Sequence, residues 1–180
     1  MQKKLMYLEI AGILFIVIMS VFMQNLLDLS GHTLIGVMFG SVNDSIWEIE
    51  KTLLFPYLLW AGIELLCIKI PFRKFIVAKA VSLWFFCLSY SAICLLYSLT
   101  GAQTHFLPEF TAALICCTLA FFISFRLTVG NKKCEVLFYP AFFMLLLFVV
   151  LYCSLTPFPM HNYLSVSYTH LRAHETLRHL

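Results

Sequence analysis

Residues 41–64 read SVNDSIWEIEKTLLFPYLLWAGIE, a polar start running into an apolar end. The fold turns on how this stretch is read. At about 100° per residue, Asn43, Trp47, Glu50, Leu54, Tyr57 and Glu64 fall on one stripe of a helix. Asp44, Glu48 and Lys51 fall on the neighbouring stripe. The helix is expected to start near Ser41 or Asn43, either of which can accept a bond from a free amide of the first turn. Asp44 and Glu48 then stand where the positive end of the helix dipole favours acids. Two arrangements satisfy this pattern. In one, the segment is a capped, acid-rich helix end at a membrane surface with Trp47 as an interfacial anchor. In the other, the stripe turns into the interior of a bundle and carries Asn43, Glu50, Tyr57 and Glu64 with it.

The rest of the chain sets the solvent for that helix. Its 180 residues are 62% hydrophobic and 12% charged, about half the charged share of a soluble domain. Several runs approach the roughly twenty apolar residues that cross a bilayer. The net charge of +3 comes from basic residues that punctuate the apolar runs without forming a patch, so no nucleic-acid partner is expected. None of the seven cysteines forms a C-x-x-C pair, and six lie in or at the ends of apolar runs. They are expected to be buried thiols acting as small hydrophobes.

The expected fold is an all-α integral membrane bundle of five transmembrane helices occupying residues 1–164. The spans are placed at about 5–27, 52–68, 75–99, 109–127 and 136–155. The first is too long for a cleavable signal core, and no small-x-small site follows it. Residues 28–40, with Gly31, Gly36 and Gly40, form an apolar connection that lies on or dips into the interface. Pro56 is expected to kink the second span. Pro108 and Glu109 suit the opening of the fourth. Alternate loops put Lys3, Lys4, Lys69, Arg73, Lys74, Arg126, Lys132 and Lys133 on one side. The other side has Lys51 with Asp28, Asp44, Glu48, Glu50 and Glu109. This asymmetry places the amino terminus in the cytoplasm.

Within that frame Glu9, Glu64 and Lys79 form an intramembrane charge cluster, each a turn or two inside the cytoplasmic boundary. An ionised carboxylate there is costly unless paired or wet, so at least one of Glu9 and Glu64 is expected to pair with Lys79. The alternative for Lys79 is to snorkel its ammonium toward the surface. Such a cluster serves either as a packing clasp or as a functional site.

Residues 165–180 read SVSYTHLRAHETLRHL and hold three of the six histidines. The pair His170 and His174 with Glu175 tempts a zinc assignment. However, the string resembles translated sequencing-adapter read-through, so the segment is taken as a non-native tail and left out of the fold.

With these residues in view, the chain resembles a family of small multi-pass membrane proteins, bacterial and mainly from Firmicutes, known as a domain of unknown function. The likeness covers about residues 3–164. It rests on Glu9, on SVNDSIWE against a family pattern close to S-V-N-E-S-x-W-E-H, on Phe55-Pro56, Glu64 and Ala78-Lys79, and on Thr156-Pro-Phe-Pro-Met-His161. Ile49 stands where the family pattern has histidine, which weakens a metal site at this helix end. The resemblance implies architecture and names no reaction.

Two functions follow as expectations. The first is a non-enzymatic bundle, transport-like or partner-binding. No phosphate loop, H-E-x-x-H or G-x-S-x-G motif is present. The second is an interfacial or intramembrane enzyme using an outer-side polar cluster of Asn43, Asp44, Trp47, Glu48, Glu50, His32 and His161, with His105 and Glu109 on the same side. Such a cluster could hold a divalent metal if its side chains converge. No cofactor and no resident metal are expected. The partner is the lipid bilayer, and a homo-oligomer or a membrane partner stays open. Five spans cannot divide into inverted repeats, which argues against a monomeric transporter.

Overall fold

A computed structural model describes residues 2–31, 33–42, 46–99, 106–130 and 134–155. Its elements are α1 (Gln2–Gln24), α2 (Leu26–Leu29), α3 (Leu34–Phe39), α4 (Ile46–Cys67), α5 (Phe72–Leu99), α6 (Phe106–Val129) and α7 (Phe138–Leu155), with a 3-10 turn over Cys134–Leu137 before α7. No strand occurs among the described residues.

Each long helix turns one stripe inward at the spacing of a helix face. On α1 the stripe is Leu5, Glu9, Gly12, Ile16 and Ser20; on α4 it is Glu50, Leu54, Tyr57, Ala61 and Glu64. On α6 it is Ala113, Cys117, Ala120, Phe121, Ser124 and Thr128. The remaining faces stay apolar and open: Leu14 is 64% exposed and Phe143 65%, while Glu64 is 0%. In water the preference is the reverse, with charges outside and large aliphatics inside. A shell of exposed leucine, isoleucine and phenylalanine around buried carboxylates fits a lipid solvent.

Four helical segments are long and apolar enough to cross a membrane: Gln2–Gln24, Phe72–Tyr97, Phe110–Val129 and Glu135–Ser154. They correspond to the first, third, fourth and fifth expected spans, with shifted ends. The second expected span, 52–68, is not among them. It is part of α4, whose 22 residues include Glu48, Glu50, Lys51 and Glu64. Length does not disqualify α4; its ionisable residues do.

The helices pack in antiparallel order. α1 lies against α4 and α6, and α5 lies against α4, α6 and α7. Lys4 Nζ near the start of α1 donates to the Cys67 carbonyl at the end of α4 (3.0 Å). Lys74 Nζ, near the start of α5, donates to the Gly130 carbonyl after α6, and the Arg73 guanidinium sits 5.8 Å over the Phe138 ring. The α1 start, the α4–α5 turn and the α6–α7 turn therefore share one end of the bundle. At the opposite end α3 packs against α4 and α7, and Phe39 meets Phe55 edge-on at 4.8 Å. The 28–40 connection is thus partly helical. Leu34 and Ile35 are exposed while Gly36 is buried.

Pro56 lies inside an unbroken α4. Of the cysteines, Cys87, Cys94, Cys116 and Cys117 are buried as expected, but Cys67 is exposed, because it ends α4 on its outward face.

Candidate functional site: the buried polar stripe of α4

Along α4 three polar groups succeed one another, and each is neutralised differently. The first closes the start of the helix. Lys51 Nζ lies 2.7 Å from Glu48 Oε2, one helical turn away, and also donates to the Val37 carbonyl of α3 at 3.0 Å. The same Glu48 oxygen accepts from the Val42 amide at 3.1 Å. An acid in the first turn reaching back to a free amide satisfies the dipole and the open backbone together. Both side chains are buried, because α3 folds over them and supplies a carbonyl.

The second group is Glu50, which is 2% exposed. Its Oε1 accepts from the Ser91 hydroxyl of α5, and its Oε2 accepts from the Tyr152 hydroxyl of α7 at 2.5 Å. Trp47, one turn earlier, stacks on the Tyr152 ring at 3.8 Å with planes 7° apart. Trp47 is half-buried against this ring. It holds the tyrosine whose hydroxyl reaches Glu50.

The third group lies about 21 Å further along, from the 1.5 Å rise per residue. Lys79 Nζ bonds Glu9 Oε1 at 3.2 Å and Glu9 Oε2 at 3.1 Å, and it also pairs with Glu64. Both carboxylates reach Lys79, where the sequence required only one. The ammonium does not snorkel: Lys79 is 2% exposed, because α5 turns it toward α1 and α4. Around it stand Ser124, donating to Glu9 Oε1 at 2.8 Å, and Trp60, whose indole N–H lies 3.1 Å from both the Leu8 carbonyl and Glu64 Oε1. The rings of Tyr57, Phe75 and Phe121 lie 5.4, 5.4 and 5.1 Å from the ammonium. Tyr57 and Ser82 share a hydrogen bond of 2.5 Å, and Ser82 also bonds back to its own helix. Four helices thus meet on one lysine, and the group carries two carboxylates against one ammonium.

Of the expected outer cluster, Trp47, Glu48 and Glu50 lie together at one end of α4. Asn43, Asp44, His32, His105, His161 and the 165–180 tail lie outside the described residues, as does the side chain of Glu109. No group of three metal-ligating side chains occurs among the described residues. The sequence reading missed the hydroxyl partners Ser82, Ser91, Ser124 and Tyr152. A signal for them existed: Lys79 and Ser82 are three apart, and Leu83, Cys87 and Ser91 repeat every four residues on one face of α5.

Compared with protein-family models, with curated proteins and with solved structures, the chain has no match.

Proposed function

We propose that this chain is an integral membrane protein of five transmembrane helices that works as a non-enzymatic, transport-like bundle, with α4 as its functional helix. The observation that carries the proposal is the burial of ionisable side chains near both ends of α4, inside a shell of lipid-type surface. Ionisable residues in a membrane span are costly, and where they are kept they mark ion pathways or relays. α4 is the fifth span. Its ionisable residues Glu48, Glu50, Lys51 and Glu64 all have protein partners, which is the condition for such a helix to cross lipid. The alternation of helix directions agrees with five crossings. The basic residues Lys4, Lys69, Arg73, Lys74 and Arg126 share the end that holds the amino terminus, so that end is assigned to the cytoplasm. Residues 3–164 are assigned, by resemblance, to the Firmicutes family named above.

The enzyme reading has weaker support. Glu48 and Glu50, its two described acids, are engaged inside the bundle by Lys51, Val42, Ser91 and Tyr152.

The test is reconstitution of the full chain into liposomes loaded with a pH-sensitive dye, with a potassium diffusion potential imposed by valinomycin. Proton flux above that of empty liposomes, reduced by Glu50→Gln, is expected. Flux equal to that of empty liposomes under either sign of the potential would overturn the transport proposal.

A further inference from the structure

Among the ionisable groups buried in this bundle, Glu50 differs in one respect. Glu48 has Lys51 as an ion-pair partner, and Glu9 and Glu64 have Lys79. Among the described residues no cation stands within ion-pair distance of Glu50; its partners are two hydroxyls, one from α5 and one from α7. A bare carboxylate in such surroundings is expensive by several kcal/mol, on the order of the penalty for any unpaired buried ion. Among the described residues only the two hydroxyls meet it, and a bound proton would remove that cost.

We propose that Glu50, with Ser91 and Tyr152, is a reversible proton-binding site between α4, α5 and α7. This rests on the transport-like reading only for its use. The site itself is argued from geometry.

The hydroxyls select the occupant. Each carboxylate oxygen already has a hydroxyl at hydrogen-bond distance, with the Tyr152 contact at 2.5 Å. A metal ion needs about six oxygens around it and would have to push both hydroxyls away. A proton needs no room. When Glu50 is ionised, Ser91 and Tyr152 both donate to it. When a hydronium ion delivers a proton, an O–H bond forms on one carboxyl oxygen, water leaves, and the charge falls from minus one to zero. The hydroxyl facing that oxygen then turns from donor to acceptor. Ser91 can do this by donating to a carbonyl of its own helix, as serines on α5 do elsewhere: Ser82 bonds Ala78 O and Lys79 O, and Ser89 bonds Phe86 O. The stack of Trp47 on Tyr152 fixes the ring in both states.

The other titratable groups beside Glu50 among the described residues are Cys87 on α5 and Tyr152 on α7. Glu48 and Lys51 on its own helix are engaged with each other and with Val37. None of these supplies Glu50 with a counter-charge.

The experiment is infrared difference spectroscopy of the full chain in lipid nanodiscs as the buffer pH is stepped. A carboxylic C=O band that is lost as pH rises is expected in the wild type and absent in Glu50→Gln. Tyr152→Phe keeps the Trp47 stack and removes one hydrogen bond, so it should retain the band at a shifted frequency. An identical band in wild type and Glu50→Gln would overturn the site. So would a frequency unmoved by Tyr152→Phe, which decides the matter even if Glu50→Gln does not fold. The two proposals fail separately. A band that meets these expectations without proton flux in liposomes removes transport and keeps the site; flux with a band insensitive to Glu50→Gln does the reverse.

Discussion

Replacing Lys79 by methionine should unfold the bundle at a much lower temperature than replacing either of its acid partners. The asymmetry comes from the two-to-one stoichiometry. Methionine keeps most of the stem but removes the ammonium, leaving Glu9 and Glu64 buried together without a counter-charge; their side chains are 6% and 0% exposed. Breaking a buried pair in this way costs about 3–5 kcal/mol. The loss of the ammonium above three aromatic rings adds about 2 kcal/mol, the scale of a desolvated cation–π contact. Glu9→Gln instead leaves Lys79 paired with Glu64, and the new amide oxygen still accepts from Lys79 or Ser124, so its cost should stay near 1 kcal/mol, on the order of one hydrogen bond. At about 2–4 °C per kcal/mol for a chain of this size, Lys79→Met should melt on the order of 10 °C lower and Glu9→Gln only a few degrees lower. The assay is thermal unfolding in detergent followed by tryptophan fluorescence, since Trp60 bonds Glu64 directly. The triple variant Glu9→Gln, Glu64→Gln, Lys79→Met removes all the charges together and should recover most of the loss. If Lys79→Met melts with the wild type, or Glu9→Gln costs as much as Lys79→Met, the shared ammonium is not what joins these helices.

Three further outcomes follow from the packing. Gly12→Ala should destabilise by about 1–3 kcal/mol: its new methyl would lie 2.6 Å from Trp60 Cδ1 and 2.7 Å from Phe121 Cε1, and Trp60 is tied by two hydrogen bonds. Thermal unfolding reads it, and an unchanged melting temperature would show that α1 does not approach α4 so closely. Tyr152→Phe should cost about 1.5–3 kcal/mol where Glu50 is ionised, the scale of a hydrogen bond to a charged group, and Tyr152→Ala a further 3–5 kcal/mol, roughly the loss on truncating a buried ring, of which the Trp47 stack accounts for about 0.5–1.5; equal losses would mean the ring is not packed. Ser82→Ala should cost about 1–3 kcal/mol by leaving the buried Tyr57 hydroxyl without its partner, read in the same assay.

How much of this was visible in the sequence depends on the kind of signal each part leaves. The helices were legible because apolar runs separated by Pro, Gly and basic residues have few other structures open to them. Glu9, Glu64 and Lys79 were legible as a set because charges placed at similar depth in lipid must find each other. The direction of the α4 stripe was not. The same positions of Trp47, Glu50 and Glu64 fit a surface-anchored helix end as well as an interior face, and only the arrival of α3, α5 and α7 decides between them. Ser91 and Tyr152 were illegible for a related reason. A hydroxyl on an apolar helix bonds back to its own carbonyls as readily as across to a neighbour, so its partner is set by packing. The membrane count was affected by the same residues: the charges that disqualify α4 as an apolar span are the ones the other helices satisfy.

The account stands or falls on α4 crossing the membrane with its polar face enclosed. In an otherwise cysteine-free background, cysteine at Val42 lies before that helix and the native Cys67, which is exposed, at its end. A membrane-impermeant maleimide applied to intact cells should label Val42→Cys and leave Cys67 unlabelled until the cells are permeabilised. Labelling of both positions from outside, or of neither, would place the two ends of α4 on one side of the membrane and contradict the account.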